Sequence, residues 1–203
     1  MARSRTRTLL FSSLVAAWLT GCNAAEPEPG QEIAPGVRRL ARMNDLRIAE
    51  SSGVVASRWY PKVFWTHNDG GGPKKQVLYA IDREGKTRAS LPVIGETLHD
   101  WEDIAIDDAG QLFIGDIGNN DAKRDNLAVY EIDEPDPKAG VGPVSPKREG
   151  QLKFPGAPFD CESLFVWKDQ GYVVSKVFHG APAQVFRFPL EDANGPLLTG
   201  PRI

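Results

Sequence analysis

The chain has 203 residues, 24 basic against 27 acidic side chains, a formal net charge of −3 and only two cysteines. No basic patch is dense enough for a nucleic-acid surface, and two cysteines exclude a disulfide scaffold. With 20 glycines, 16 prolines, short apolar runs and no long segment of helical period, the composition predicts an all-β chain rich in turns.

In chain order, residues 1–21 read as a lipoprotein signal peptide. Arg3, Arg5 and Arg7 precede a short apolar stretch, Leu9 to Leu19, too brief for a membrane span, which needs about 20 apolar residues. The stretch runs into Leu19-Thr20-Gly21-Cys22, a bacterial lipobox in which small residues admit the signal peptidase and the Cys22 thiol takes a diacylglycerol. Asn23, in place of Asp, favours the outer membrane over the inner one. A lipid-anchored protein facing the periplasm is therefore expected, with the membrane as its first partner. Residues 22–36, rich in Glu, Pro and Gly, read as a flexible tether. Residues 37–203 are long enough for one domain with its own core. If Cys22 is acylated, only Cys161 remains as a thiol; flanked by Asp160 and Glu162, it reads as buried filler and not as a nucleophile.

Within residues 37–203 one pattern recurs. Glu50-Ser51-Ser52-Gly53-Val54 is answered by Asp100-Trp101-Glu102-Asp103-Ile104 and by Asp160-Cys161-Glu162-Ser163-Leu164. Each acidic opening is followed by a second apolar run (Val63–His67, Leu112–Asp116, Tyr172–Lys176) and a third (Leu78–Ile81, Val129–Ile132, Val185–Phe188). The first unit needs a small insertion at Trp59-Tyr60-Pro61 to match. A repeat of about 40–60 residues built from short β-runs predicts propeller blades of about four strands. Three such units make an incomplete ring: either the copy is truncated or another chain completes it. Asp107-Asp108-Ala109-Gly110 and Lys168-Asp169-Gln170-Gly171 read as hairpin turns, and residues 138–150 as a crossing between blades. Trp65, Trp101 and Trp167 recur in the units as expected core residues.

The repeat aligns Glu50, Glu102 and Glu162 around a common axis, and His67, Asp116 and Lys176 on one face. Asp100 and Glu102, like Asp160 and Glu162, stand two apart on an extended chain and point the same way; Glu50 has Ile48 at the partner position. Converging carboxylates repel unless they are protonated, hydrogen-bonded or share a cation. Glu50, Asp100, Glu102, Asp160 and Glu162 are therefore candidate ligands for a hard cation such as Ca²⁺, with backbone capping and acid–base catalysis as the other readings. The loop residues His67, Asn68, Asp69, Asp116 and Asn119, with Lys176, are candidates for binding a small-molecule or protein ligand; Asn, Asp and Gly are also what a tight loop requires. No Gly-x-Ser-x-Gly elbow, paired cysteines or His spacing points to a serine hydrolase or to zinc.

Glu50–Val54, Trp65–Asp69, Asp100–Ala105 and Gly115–Asn120 together resemble an uncharacterised group of bacterial exported β-propeller proteins, across roughly residues 45 to 195. More distantly, Asp160 to Phe188 is similar to the β-propeller phytases. That resemblance implies a calcium-dependent phosphoesterase with an acidic channel face, and it leaves enzyme against binding protein open. Lys74, Lys75, Lys123, Arg124 and Lys176 are the cations that could receive phosphate. The sequence favours a lipid-anchored envelope propeller that binds a ligand or cation without catalysis. Replacing Cys22 by alanine should abolish partitioning into the detergent phase, since the lipidated residue supplies most of the membrane affinity; unchanged partitioning would refute lipidation.

Overall fold

A computed structural model describes residues 28–199 apart from 73, 96–97, 139–141, 178–179, 181, 194 and 197. Cys22 and the signal peptide lie outside the described residues. The chain divides into two units between Arg39 and Leu40. In the first, β1 (Glu32–Ala34) and β2 (Val37–Arg38) pair as a small exposed antiparallel hairpin, partly within the stretch read as a tether.

The second unit repeats one antiparallel meander three times. In blade 1, β3 (Ser51–Ala56), β4 (Val63–Asn68), β5 (Val77–Asp82) and β6 (Thr87–Pro92) pair in chain order. In blade 2 the order is β7 (Trp101–Ile106), β8 (Gln111–Asp116), β9 (Asn126–Asp133) and β10 (Arg148–Lys153). Blade 3 contains β11 (Cys161–Trp167), β12 (Gln170–Ser175) and β13 (Val185–Pro189). The chain then runs back along blade 2, where β14 (Gly195–Pro196) pairs parallel to β10. It returns as β15 (Leu198–Thr199), the fourth strand of blade 3. The first strands of neighbouring blades pack together, β3 on β7 and β7 on β11. Sheets stacked around their first strands are the blades of a β-propeller, as the repeat predicts.

The loops between first and second strands are residues 57–62, 107–110 and 168–169, so the predicted insertion at Trp59-Tyr60-Pro61 lies in the longest. Glu134 closes that loop, accepting hydrogen bonds from the Arg58 and Trp59 amides and from Trp65 Nε1 at 2.7 Å. Residues 138–150 are not a crossing between blades: they join β9 to β10 inside blade 2, and Arg148 to Gly150 already belong to the ladder. The misreading is explained by a gap that proline and glycine fill without regard to which strands it joins. The actual crossings are residues 93–100 and 154–160.

Blade 2 is buried on both faces. Leu112 and Ile114 of β8 point into a cluster with Trp65, Leu78 and Leu91 of blade 1. Phe113 between them points into a second cluster with Leu164, Val173 and Phe188 of blade 3. Alternation along one strand thus feeds two cores, which is why β8 reads as a continuous apolar run. Trp65 and Trp101 are fully buried, but Trp167 is 61% exposed, against the expectation for it. It stands at the hairpin end of β11 on the face of blade 3 turned away from blade 2, with the Lys168 ammonium 4.6 Å from its ring centre.

Pairing registers correct the predicted alignment of the acids. Each first strand carries a one-residue irregularity near its start, and the partners match blade by blade. Ser51, Trp101 and Cys161 pair with Asn68, Asp116 and Ser175, while Val54, Ile104 and Leu164 pair with Thr66, Ile114 and Val173. Glu50 is therefore equivalent to Asp100 and Asp160, and Ser52 to Glu102 and Glu162. Backbone bonds agree in blades 1 and 3, since the equivalent Asp69 and Lys176 amides donate to the Glu50 and Asp160 carbonyls; in blade 2 the donor to Asp100 is Gly118, one residue further on. By the same register His67, Asp116 and Lys176 are not equivalent; Asp69 corresponds to Lys176. Sequence alone slid by two because glutamates were matched to glutamates. Two residues preserve the side of a strand, so periodicity gave no warning.

Candidate functional site

The bulge is the local device that builds the site. An extra residue in the first strand of each blade re-aims the side chains around it. β7 and β11 are the edge strands of their sheets, so alternate amides have no ladder partner, and Asp103 satisfies two of them. Asp103 Oδ1 accepts the amide of Ile104 at 2.8 Å, and Oδ2 accepts the equivalent amide of Leu164, in blade 3, at 2.7 Å. Gly53 makes room on the other side: a Cβ there would fall 2.4 Å from Asp103 Oδ1 and 2.7 Å from the Ile104 nitrogen.

Around this frame the structure gathers carboxylates from all three blades. Oxygens of Asp69, Asp100 and Glu102 lie within 4.8 Å of one another, as do those of Glu102, Asp160 and Glu162. Glu102 belongs to both groups and is 3% exposed. Gly118 closes over it, because a Cβ at that residue would fall 2.3 Å from Asp100 Oδ2 and 2.5 Å from Glu102 Oε1.

Three cations border the group. Lys176 Nζ lies 2.5 Å from Glu162 and 3.5 Å from Asp160, and also donates to Asn120. Lys75 Nζ lies 2.5 Å from Glu50, at the exposed rim beside Asp69 and Asp100. Arg124 Nη1 donates to Asp116 Oδ1 and to the Gly118 carbonyl, both at 2.8 Å. Lys123 pairs with Asp121 in the open.

The remaining candidates hold the frame. Asp116, fully buried, accepts the backbone amides of His99 and Asp100, each at 2.8 Å, and fixes the chain as it enters β7. Asn68 does the same in blade 1, accepting from the Glu50 amide at 3.1 Å. Asn119 donates its amide to Asp160 Oδ1 at 2.6 Å and ties down the Arg124 and Phe159 backbone. His67 is buried edge-on against Trp101, ring centres 5.5 Å apart, with Nδ1 bonded to the Asn68 carbonyl; burial lowers its pKa and keeps it neutral. The structure thus joins Asp69, Asp100, Glu102, Asp160, Glu162 and Lys176, sets Glu50 at the rim, and uses the others as supports. Cys161 is buried, its thiol pushed up to about 12 by burial and by Asp160 and Glu162.

Sequence reasoning missed two residues. Asp103 had a signal, a carboxylate at a position where the equivalents are Gly53 and Ser163. Gly118 had only a turn-like neighbourhood.

Burial, then the charges of Glu162, Asp69 and Asp100, push Glu102 up to about 9, and Glu162 shares a hydrogen bond with it. Asp100 and Asp69 are also raised, first by burial. With Glu102 raised in this way, its proton at neutral pH relieves the repulsion among these acids.

No protein-family model and no curated protein matches the chain. Among solved structures it is similar to the Dos1 propeller (13% identity over 73% of this chain and 34% of that one, TM-score 0.44). It is also similar to a chain of ctPRC2 in complex with H3K27me3 and H3K27M (11%, 70% and 28%, TM-score 0.40). A third likeness is to Pseudomonas brassicacearum lignostilbene dioxygenase (13%, 68% and 35%, TM-score 0.35). The chain spans about a third of the length of these structures. At such scores they carry no functional argument, and the propeller assignment rests on the three sheets.

The raised Glu102 sets a pH dependence. Native Glu102 keeps its proton up to about 9, whereas the unfolded group loses it near 4.5. The native state therefore binds more protons across that window, and stability falls as pH rises through it, by at most about 1.4 kcal/mol per pH unit. Glu102→Gln, a fixed mimic of the protonated acid, should flatten this slope in metal-free buffer and be more stable than the parent at pH 8. Parallel melting curves for the two proteins between pH 5 and 9 would contradict the assignment.

Proposed function

We propose that this chain is a lipid-anchored envelope β-propeller that binds a hard divalent cation of the Ca²⁺ class at its acidic channel face, and through it a ligand, without catalysing a reaction. The observation that carries this reading is the placing of Glu102, nearly inaccessible, between Asp69 and Asp100 on one side and Asp160 and Glu162 on the other. Carboxylate oxygens from three blades suit the flexible, oxygen-only coordination of Ca²⁺ better than the nitrogen and sulfur sites of zinc. The anchor is the lipidated Cys22 expected from Leu19-Thr20-Gly21-Cys22, which puts the face in the periplasm.

A second reading, phosphoester hydrolysis, is favoured by the two lysines at the rim. Lys75 and Lys176 could receive phosphate beside a bound cation. Both are engaged by carboxylates, Glu50 and Glu162, and this weighs toward binding.

Thermal melts with Ca²⁺ and with chelator test the cation. At a hundredfold excess over Kd, Ca²⁺ should add about 2.7 kcal/mol, roughly 5–10 °C in a domain of this size. Asp100→Asn and Glu162→Gln should shrink the shift. A melting temperature indifferent to Ca²⁺ would leave the carboxylates as structural acids and remove the support for both readings.

A further inference from the structure

The junction of blades 1 and 2 and the junction of blades 2 and 3 differ at one matched place. By the pairing registers, Phe186 of blade 3 is the equivalent of Tyr130 of blade 2. Asp160 is the equivalent of Asp100, so Phe159 before it is the equivalent of His99. At the second junction Phe159 stacks on Phe186, ring centres 4.5 Å apart, and Phe154 meets Phe159 edge-on at 4.9 Å. At the first junction a cavity of about 360 Å³ lies in that place, with His99 and Tyr130 in its wall. A second hollow, of about 320 Å³, shares Tyr130 and Glu149 with it. That is room for a small ligand, opened where the sister junction is filled with aromatic rings.

The wall is polar and ordered. Asn126 Nδ2 donates to Gln151 Oε1 at 3.0 Å, and Gln151 Nε2 donates to Glu149 Oε1 at 3.2 Å, a row of planar groups across β9 and β10. The row leaves Asn126 Oδ1 and Glu149 Oε2 without a donor among the described residues. Arg124 stands beyond Asn126. Its Nη1 is held by Asp116 and the Gly118 carbonyl, but Nε and Nη2 have no hydrogen-bond partner among the described residues. His99, whose amide shares Asp116 with Arg124, makes no side-chain hydrogen bond or ring contact among them. Ala128 and Tyr130, both buried, form the apolar part of the wall.

We propose that this cavity binds a carboxylated sugar of one or two rings. Its carboxylate lies against the open edge of Arg124 and near His99, and its hydroxyls lie along the Asn126–Gln151–Glu149 row. A guanidinium edge takes a carboxylate in two parallel hydrogen bonds, and carboxamide and carboxylate groups offer hydroxyls both donors and acceptors. Charge and length narrow the class. Among the lining residues Arg124 is the one permanent cation and Glu149 the one acid, which suits a monoanion better than a doubly charged phosphate ester. Glu149 pairs with Tyr130, four residues and about 13 Å along β9 from Asn126, too far from Arg124 for the adjacent charges of an amino acid. The claim is independent of whether Ca²⁺ binds at the channel face.

Titration calorimetry of the full chain in detergent micelles, with chelator present, tests this with cellobiouronate (a glucuronate–glucose disaccharide) and with cellobiose. Saturable binding of cellobiouronate is expected, with cellobiose at least about tenfold weaker, the worth of one charge-assisted hydrogen bond. Arg124→Lys keeps the charge beside Asp116 but loses the fork, and should weaken the acidic sugar about tenfold while leaving cellobiose unchanged. Gln151→Ala, at an exposed position, should weaken both sugars alike. His99→Phe installs the aromatic residue of the second junction and should abolish binding with unchanged circular dichroism. No saturable binding by the parent protein, equal affinity for the two sugars, binding that appears only with Ca²⁺, or undiminished binding in His99→Phe would overturn the proposal.

Discussion

The acidic cluster depends on Asp103 and the edge-strand amides that it serves. A blade's first strand is paired on one side only, so alternate amides have no ladder acceptor; a buried amide left without a partner costs about 1–3 kcal/mol. One carboxylate answers two of these amides, in β7 and β11, and so ties the first strand of blade 2 to that of blade 3. Blade 1 meets the same aspartate with Gly53, whose missing side chain lets β3 approach. Asp103, itself raised by burial, stays bonded through both oxygens and leaves Glu102 next to it to face the channel without such relief.

The acidic site follows from that frame. Asp116 and Asn68 hold the entering chain by its amides, so Asp100 and Glu50 reach the channel from matched positions in successive blades. Lys176 and Lys75 neutralise the two ends of the carboxylate row, and its middle is left with Asp69, Asp100 and Glu102. Charges this close at a partly buried site cannot all persist. On the proposed reading, a protonated Glu102 would be the state without a metal, and a bound divalent cation would keep all the acids ionised. Stability, proton uptake and the proposed cation binding would then be three views of one equilibrium.

Much of this was legible in the residues. Period-2 runs, Asp-Gly turns and a threefold repeat are local signals, and they fixed the blades, the inserted loop after β3 and the gathering of Asp100, Glu102, Asp160 and Glu162. What was not legible depended on register. Glu50 aligns by type with Glu102 and Glu162, but by hydrogen bonding with Asp100 and Asp160; a bulge is set by pairing and leaves no composition of its own. Trp167 looked like core because it recurs with Trp65 and Trp101, whereas its exposure depends on which face of blade 3 is covered. Residues 138–150 looked like a crossing because loops advertise their flexibility and not their destination.

The central claim is that Glu102 holds a proton that a cation displaces. The most direct measurement is proton release on adding Ca²⁺ to the metal-free protein in weakly buffered solution at pH 7.5. Because Glu102 titrates near 9, about one proton should appear per cation bound, and none in Glu102→Gln. Saturable binding with no proton released by the parent protein would contradict the account.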